Sequence, residues 1–113
     1  MDWKHILPDL CRGRVESRFV PAERGLPGGA SRFGGRPDVP AGFTWPVFET
    51  AVPEDETVRP RPLAFLAQFD CAGLAPLDRE GLLPKTGLLS FFYELGSQRW
   101  GYDPKDAGCA RVY

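Results

Sequence analysis

The chain is organised by the stretch Ser31-Arg32-Phe33-Gly34-Gly35-Arg36-Pro37-Asp38-Val39-Pro40-Ala41-Gly42-Phe43-Thr44-Trp45-Pro46. Adjacent glycines allow backbone angles that a residue with a Cβ avoids. Pro37, Pro40 and Pro46 each fix φ and push the preceding residue toward extended geometry. That excludes a regular helix and disfavours a central strand. Yet fully burying a side chain such as Phe33, Val39, Phe43 or Trp45 is worth about 1.5–3 kcal/mol. The stretch therefore reads as a stiff, non-repetitive ribbon whose aromatic anchors pin a core formed elsewhere.

Working outward, Leu63 to Phe69 is a nearly continuous apolar run ending in Asp70, as expected of a strand buried on both faces. Gly87 to Leu95 is dense in β-formers and aromatics and is the strongest strand signal. Leu74-Ala75-Pro76-Leu77-Asp78 reads as a turn or single helical turn, Trp100 to Asp103 as another short strand, and Asp103 to Gly108 as turn chemistry. Cys109 to Tyr113 reads as a final strand. Upstream, Trp3, Ile6, Leu7 and Leu10 fall at i, i+3, i+4 and i+7, one face of a short helix over residues 1–13. Asp2 is its cap and Gly13 its stop, while Pro8 limits its regularity. Arg14 to Val20 alternates like a half-exposed strand. Residues 21–62 are broken by proline and glycine, and Glu54-Asp55-Glu56 reads as a solvated loop tip.

The totals agree with a loop-rich β architecture. Thirteen glycines and twelve prolines in 113 residues favour turns over long helices. A net charge of −1 gives no basic excess for phosphates, so a nucleic-acid partner is not expected. Apolar runs are far too short for a membrane span. Cys11, Cys71 and Cys109 are odd in number and widely spaced, which argues for a reducing compartment and a cytoplasmic, soluble protein. They read as small buried hydrophobes.

Ser-Arg-Phe-Gly-Gly-x-Pro-x-x-Pro, a spacer and Phe-x-Trp-Pro resemble the signature of the YwqG-like family, a bacterial family of unknown function. Pro62 to Asp70, Leu82 to Tyr93 and Gly101 to Asp106 fit the same pattern in order and rough spacing. The resemblance covers about residue 14 to Tyr113. It implies a mainly β protein usually about twice this length, with no established activity. On that basis residues 1–113 are expected to be a single domain or a fragment, the N-terminal half of a larger YwqG-like fold, with residues 14–113 as its β region.

No catalytic constellation stands out. Gly28 to Arg36, with Arg32 and Arg36, could form a backbone anion site, but a P-loop needs Gly-Lys-Ser/Thr and a following helix, and here Pro-Asp-Val-Pro follows. The alternative is turn glycines and surface arginines. His5 is the single histidine, so any triad with Cys11 or Ser31 must run through it. One histidine and three scattered cysteines lack zinc-ligand spacing, and no metal or cofactor is expected. Asp103 and Asp106 flank Pro104-Lys105 and could serve acid–base chemistry, although Asp before Pro equally starts a turn. Gln68, Asp70, Tyr93 and Trp100 would line a cleft at the strand ends, or Tyr93 and Trp100 are core residues whose polar tips find a partner.

The expected fold is a twisted antiparallel sheet with a short N-terminal helix and a long Gly/Pro-rich ribbon. The expected function is a non-enzymatic protein-binding module, immunity-like in one form, with Arg32, Asp70, Tyr93, Trp100 and Asp103 as binding residues. Partner contact or self-association through an exposed strand edge follows from the unfinished sheet. The alternative is a small-molecule binder or hydrolase whose site needs a further C-terminal half.

Overall fold

The computed structural model describes residues 17, 18, 20, 21 and 25–113. The helix expected over 1–13 and most of the strand expected over 14–20 lie outside these residues. Among the described residues there are six strands: β1 (Arg32–Phe33), β2 (Val47–Val52), β3 (Asp55–Pro62), β4 (Ala64–Asp70), β5 (Leu88–Tyr93) and β6 (Ala110–Val112). A single helical turn, α1 (Cys71–Leu74), continues β4 and runs into a 3-10 turn at Ala75–Leu77. A second 3-10 turn spans Pro104–Asp106.

The fold is mainly β, with two antiparallel sheets. β1, β4, β5 and β6 form a four-stranded sheet in that order. β4, β5 and β6 fall in the segments 63–70, 87–95 and 109–113 read as strands, whereas β1 lies in the stretch read as a non-repetitive ribbon and adds two residues at the sheet's edge. The second sheet is the β2–β3 hairpin, which sequence reasoning passed over as proline-broken loop. Pro60 and Pro62 remove two N–H donors from β3, which a strand at the edge of a two-stranded sheet tolerates. Arg61 compensates by tying the hairpin: its Nε donates to Thr50 O at 3.1 Å and its Nη2 to Thr57 O at 2.9 Å. Asp55, read as part of a solvated tip, pairs with both Arg59 and Arg61. The Thr57 amide, together with these arginines, holds its carboxyl below the ordinary range.

Alternation along β5 places Leu88, Ser90 and Phe92 on one face of the larger sheet and Leu89, Phe91 and Tyr93 on the other. The first face carries the core. Phe92, 1% exposed, is its centre and packs with Phe48, Leu63 and Cys109. Phe43 stacks on Phe92 at 6.0 Å, and Trp45 and Phe65 meet it edge-on at 5.3 and 5.6 Å. Trp45 also donates its indole N–H to Leu63 O at 2.8 Å. Two of the four expected ribbon anchors thus pack on Phe92. Val39 is 40% exposed, and Phe33 instead meets Phe69 edge-on.

The ribbon is held by a polar clamp as well as by its aromatics. Gly34 (φ 68°) and Gly35 (φ 75°) take the left-handed turn that leaves β1, and Gly34 N–H reaches Leu66 O at 2.7 Å. Gln68, completely buried on β4, donates to Ala30 O and to Asp38 Oδ2, each at 2.7 Å. Its Oε1 accepts the Asp38 N–H at 2.9 Å. Arg32 completes the cluster, with Nη2 3.1 Å from Asp38 Oδ2. The Gln68 amide, the Gly29 N–H and then Arg32 lower the Asp38 pKa, outweighing desolvation. Cys71 and Cys109 are unpaired thiols, 1% and 3% exposed.

Candidate functional site

Between β5 and β6 the chain makes a long loop whose position is fixed by two buried acids. Glu94 is 4% exposed and Asp106 6%. Glu94 Oε1 accepts Gly96 N–H at 2.9 Å, and its Oε2 accepts the Ser97 amide at 2.8 Å and the Ser97 hydroxyl. Burial pushes the Glu94 pKa up, but these bonds outweigh it and hold the carboxyl below its ordinary value. Asp106 Oδ2 accepts Gly101 N–H at 3.1 Å, and its Oδ1 lies 3.3 Å from Arg99 Nη1. Arg99 Nη2 in turn donates to Thr50 Oγ1 at 3.2 Å, joining the loop to the hairpin. Its guanidinium lies 6.0 Å from the centre of the Phe48 ring.

This anchoring explains why Trp100 to Asp103 forms no strand, contrary to expectation. Asp106 draws both Arg99 and Gly101 inward, and Gly101 adopts φ 88°, outside strand geometry. The side chains between the tethers are turned outward. Trp100 is 87% exposed and Tyr102 85%. The reading of Trp100 as a core residue is corrected accordingly.

Trp100, Tyr102 and Asp103 border a cleft of about 480 Å³. Its opposite wall is Ala51, Val52 and Pro53 at the end of the hairpin, and Arg99 and Asp106 also line it. Tyr93 stands behind the loop, its hydroxyl donating to Arg99 O. Burial, followed by the neighbouring Cys109, Glu94 and Asp106 groups, raises its pKa. Asp103 caps the 3-10 turn, accepting Lys105 N–H at 2.8 Å. Trp100, Asp103 and Tyr93 are therefore brought to one end of the molecule.

Arg32 and Asp70 lie elsewhere, beside β1 and β4. Arg32 directs its Nη donors internally, to Asp38, Pro27 O and Arg36 O, while its buried Nε has no hydrogen-bond partner among the described residues. Asp70 caps α1 through Ala72 N–H, and its own N–H donates to Ser31 Oγ at 2.8 Å. Near them a second, apolar cleft of about 510 Å³ runs between the ribbon (Asp38, Val39, Pro40, Phe43) and β5 (Leu88, Ser90, Phe92), closed by Tyr113. Among the described residues no three His, Cys, Asp or Glu side chains gather as metal ligands. His5 and Cys11 are outside those residues. No described helix is long and apolar enough to cross a membrane.

Sequence reasoning missed Tyr102, Glu94 and the anchoring role of Asp106. The available signal was Trp100-Gly101-Tyr102-Asp103-Pro104, two aromatics parted by glycine and followed by a turn, which is poor strand material but suits a displayed loop.

Comparison with curated proteins and with solved structures returns no match. Residues 31–113 match the model of a family described as Domain of unknown function (DUF1963). That span runs from the ribbon through both sheets and the Trp100–Tyr102 loop to Tyr113, most of the chain, and the protein therefore belongs to the DUF1963 family.

Proposed function

We propose that this chain is a non-catalytic protein-binding module of the bacterial cytoplasm, engaging its partner through Trp100 and Tyr102. One observation carries the reading: two large aromatics, 87% and 85% exposed, are displayed on a loop tied down by buried Glu94 and Asp106. Trp, Tyr and Arg are the side chains that dominate interface energetics. A loop already held in place loses less conformational entropy on binding. The unpaired buried thiols of Cys71 and Cys109 support a reducing compartment. The Ser31–Pro40, Pro62–Asp70, Leu82–Tyr93 and Gly101–Asp106 blocks support kinship with YwqG-like proteins. An immunity-type role, neutralising a partner by occupying it, is one concrete form. β6, last in the sheet and exposed at all three residues, is a second place for a strand of another chain to add.

The test is capture of a partner from the source cell, its identification, and titration of the purified pair. Trp100→Ala with Tyr102→Ala should weaken the complex roughly 10- to 100-fold while leaving the fold intact. Equal affinity for wild type and double variant would end this reading. The alternative, a small molecule in the cleft, draws support from its volume of about 480 Å³. It requires a saturable thermal shift with a sugar, nucleotide or phosphate that Trp100→Ala abolishes.

A further inference from the structure

Asp38 and Phe43 pin the ribbon to the core face of the larger sheet at two points, the first through Gln68 and the second through Phe92. Between the pins the chain turns, with the Phe43 N–H donating to Pro40 O at 3.1 Å, and the cleft of about 510 Å³ opens between this turn and β5. Three rings in mutual contact form one wall, with Tyr113 5.1 Å from Phe43 and 5.7 Å from Phe92. Val39, 40% exposed, and Tyr113, 47% exposed, leave the mouth in solvent. Two polar groups interrupt this apolar lining. Ser90, only 6% exposed, stands opposite Gln68 in the β4–β5 register, and its hydroxyl has no partner among the described residues. Asp38 is the other: its Oδ2 accepts from Gly29, Arg32 and Gln68, but its Oδ1 accepts from none of the described residues.

We infer that this cleft binds a small, uncharged planar aromatic molecule carrying an N–H or O–H donor, its ring against Phe43 and Tyr113 and its donor directed to Asp38 Oδ1 and Ser90 Oγ. The volume, and an apolar lining broken by few polar groups, are those of a small-molecule site. Charge selects the polar end of the ligand. Hydrogen bonds from Gln68 and Gly29, with Arg32 behind them, lower the Asp38 pKa, so at neutral pH the carboxylate can only accept. The ligand must therefore bring the donor, and a carboxylate or phosphate group would be repelled. Arg32 Nη2, 3.1 Å from Oδ2, already balances the charge, so a neutral donor suffices and an ammonium is not required. A hydroxyl as buried as that of Ser90 costs free energy while it lacks a partner, and a ligand that bonds it recovers that cost. Because the ribbon is held on both sides of the turn, little of the site has to be ordered on binding.

Methyl ¹H–¹³C correlation spectra of the 113-residue chain, titrated with indole, test this directly. Saturable shifts of the Val39 and Leu88 methyls are expected, with a dissociation constant of about 1 mM. The Val58 methyls, on β3 and away from the cleft lining, should stay in place. Indene, the same ring frame without the N–H, should bind roughly tenfold more weakly to the wild-type chain. Ser90→Ala should erase most of that preference, and Val39→Trp, which fills the mouth, should abolish the shifts at Leu88. No saturable shift up to the solubility of indole, shifts confined to the Trp100–Tyr102 loop, or equal affinity for indole and indene would overturn the inference. Since the readout lies at Val39 and Leu88, the outcome is independent of partner capture through Trp100 and Tyr102.

Discussion

Gln68 and Asp38, thirty residues apart, form a reciprocal pair: the Gln68 Nε2 donates to Asp38 Oδ2 at 2.7 Å, and the Gln68 Oε1 accepts the Asp38 N–H at 2.9 Å. A ribbon without helical or long strand structure needs external partners for its backbone groups. Gln68, completely buried, supplies them. Gln68→Leu keeps similar bulk but strands Asp38 N–H and Ala30 O. It should cost about 2–3 kcal/mol, read as a lower urea midpoint, with faster amide exchange at Ala30 and Asp38 than at β5.

Asp106 plays the matching part for the displayed loop. Asp106→Ala removes the acceptor for Gly101 N–H and the partner of Arg99. A loss of about 2 kcal/mol is expected, together with sharper, more mobile NMR signals for Gln98 to Tyr102. A variant whose loop relaxation matched wild type would contradict this role.

Trp100→Ala and Tyr102→Ala make the contrasting case. Both side chains are almost wholly in solvent, so each substitution should leave the unfolding midpoint within about 0.5 kcal/mol of wild type. Thermal melts of the two variants check this.

Gly96 has no room for a methyl group. A Cβ there would stand 2.7 Å from Val52 Cγ1 and 2.9 Å from Glu94 Oε1. Gly96→Ala should destabilise by about 1–3 kcal/mol, and Val52→Ala in the same chain should recover part of the loss. A double-mutant cycle in urea measures the coupling.

Glu94 gives the pH dependence its sign. Its folded pKa lies below the ordinary value, because the Gly96 and Ser97 donors outweigh burial. The stabilisation is therefore complete above the ordinary glutamate pKa of about 4.3 and is lost as pH falls from there through the folded value. Asp38, also lowered, adds in the same direction. Urea midpoints should decline below about pH 5, and Glu94→Gln should be less stable at pH 7 with a flatter acid limb.

Much of this fold is legible in the sequence, and the reasons are local. β4 and β5 follow apolar runs, β4 extending one residue past its run to Asp70 and β5 starting directly after Gly87. Phe43 and Trp45 announce themselves as anchors because bulky aromatics in a Pro/Gly ribbon have nowhere else to go. The β2–β3 hairpin is hidden because Pro53, Pro60 and Pro62 mask the alternation of Val47, Phe48, Glu49 and Thr50. Trp100 misleads for a different reason: its exposure is decided by hydrogen bonds to Asp106, and those depend on chain folding six residues away. Of the five residues expected to bind, Trp100 and Asp103 line one cleft, with Tyr93 behind it. Arg32 and Asp70 sit across the molecule, each bonded within the ribbon region.

Cys109 lends the molecule a built-in clock. Its thiol is 3% exposed and packed against Phe92, and burial followed by the Asp106 charge raises its pKa. Its carbonyl accepts Glu94 N–H, and its own N–H reaches Asp106 O. An alkylating reagent meets the thiolate only after β6 and the Asp106 turn have parted from β5. The labelling rate at this sulfur therefore times the opening of the scaffold beneath the Trp100–Tyr102 loop.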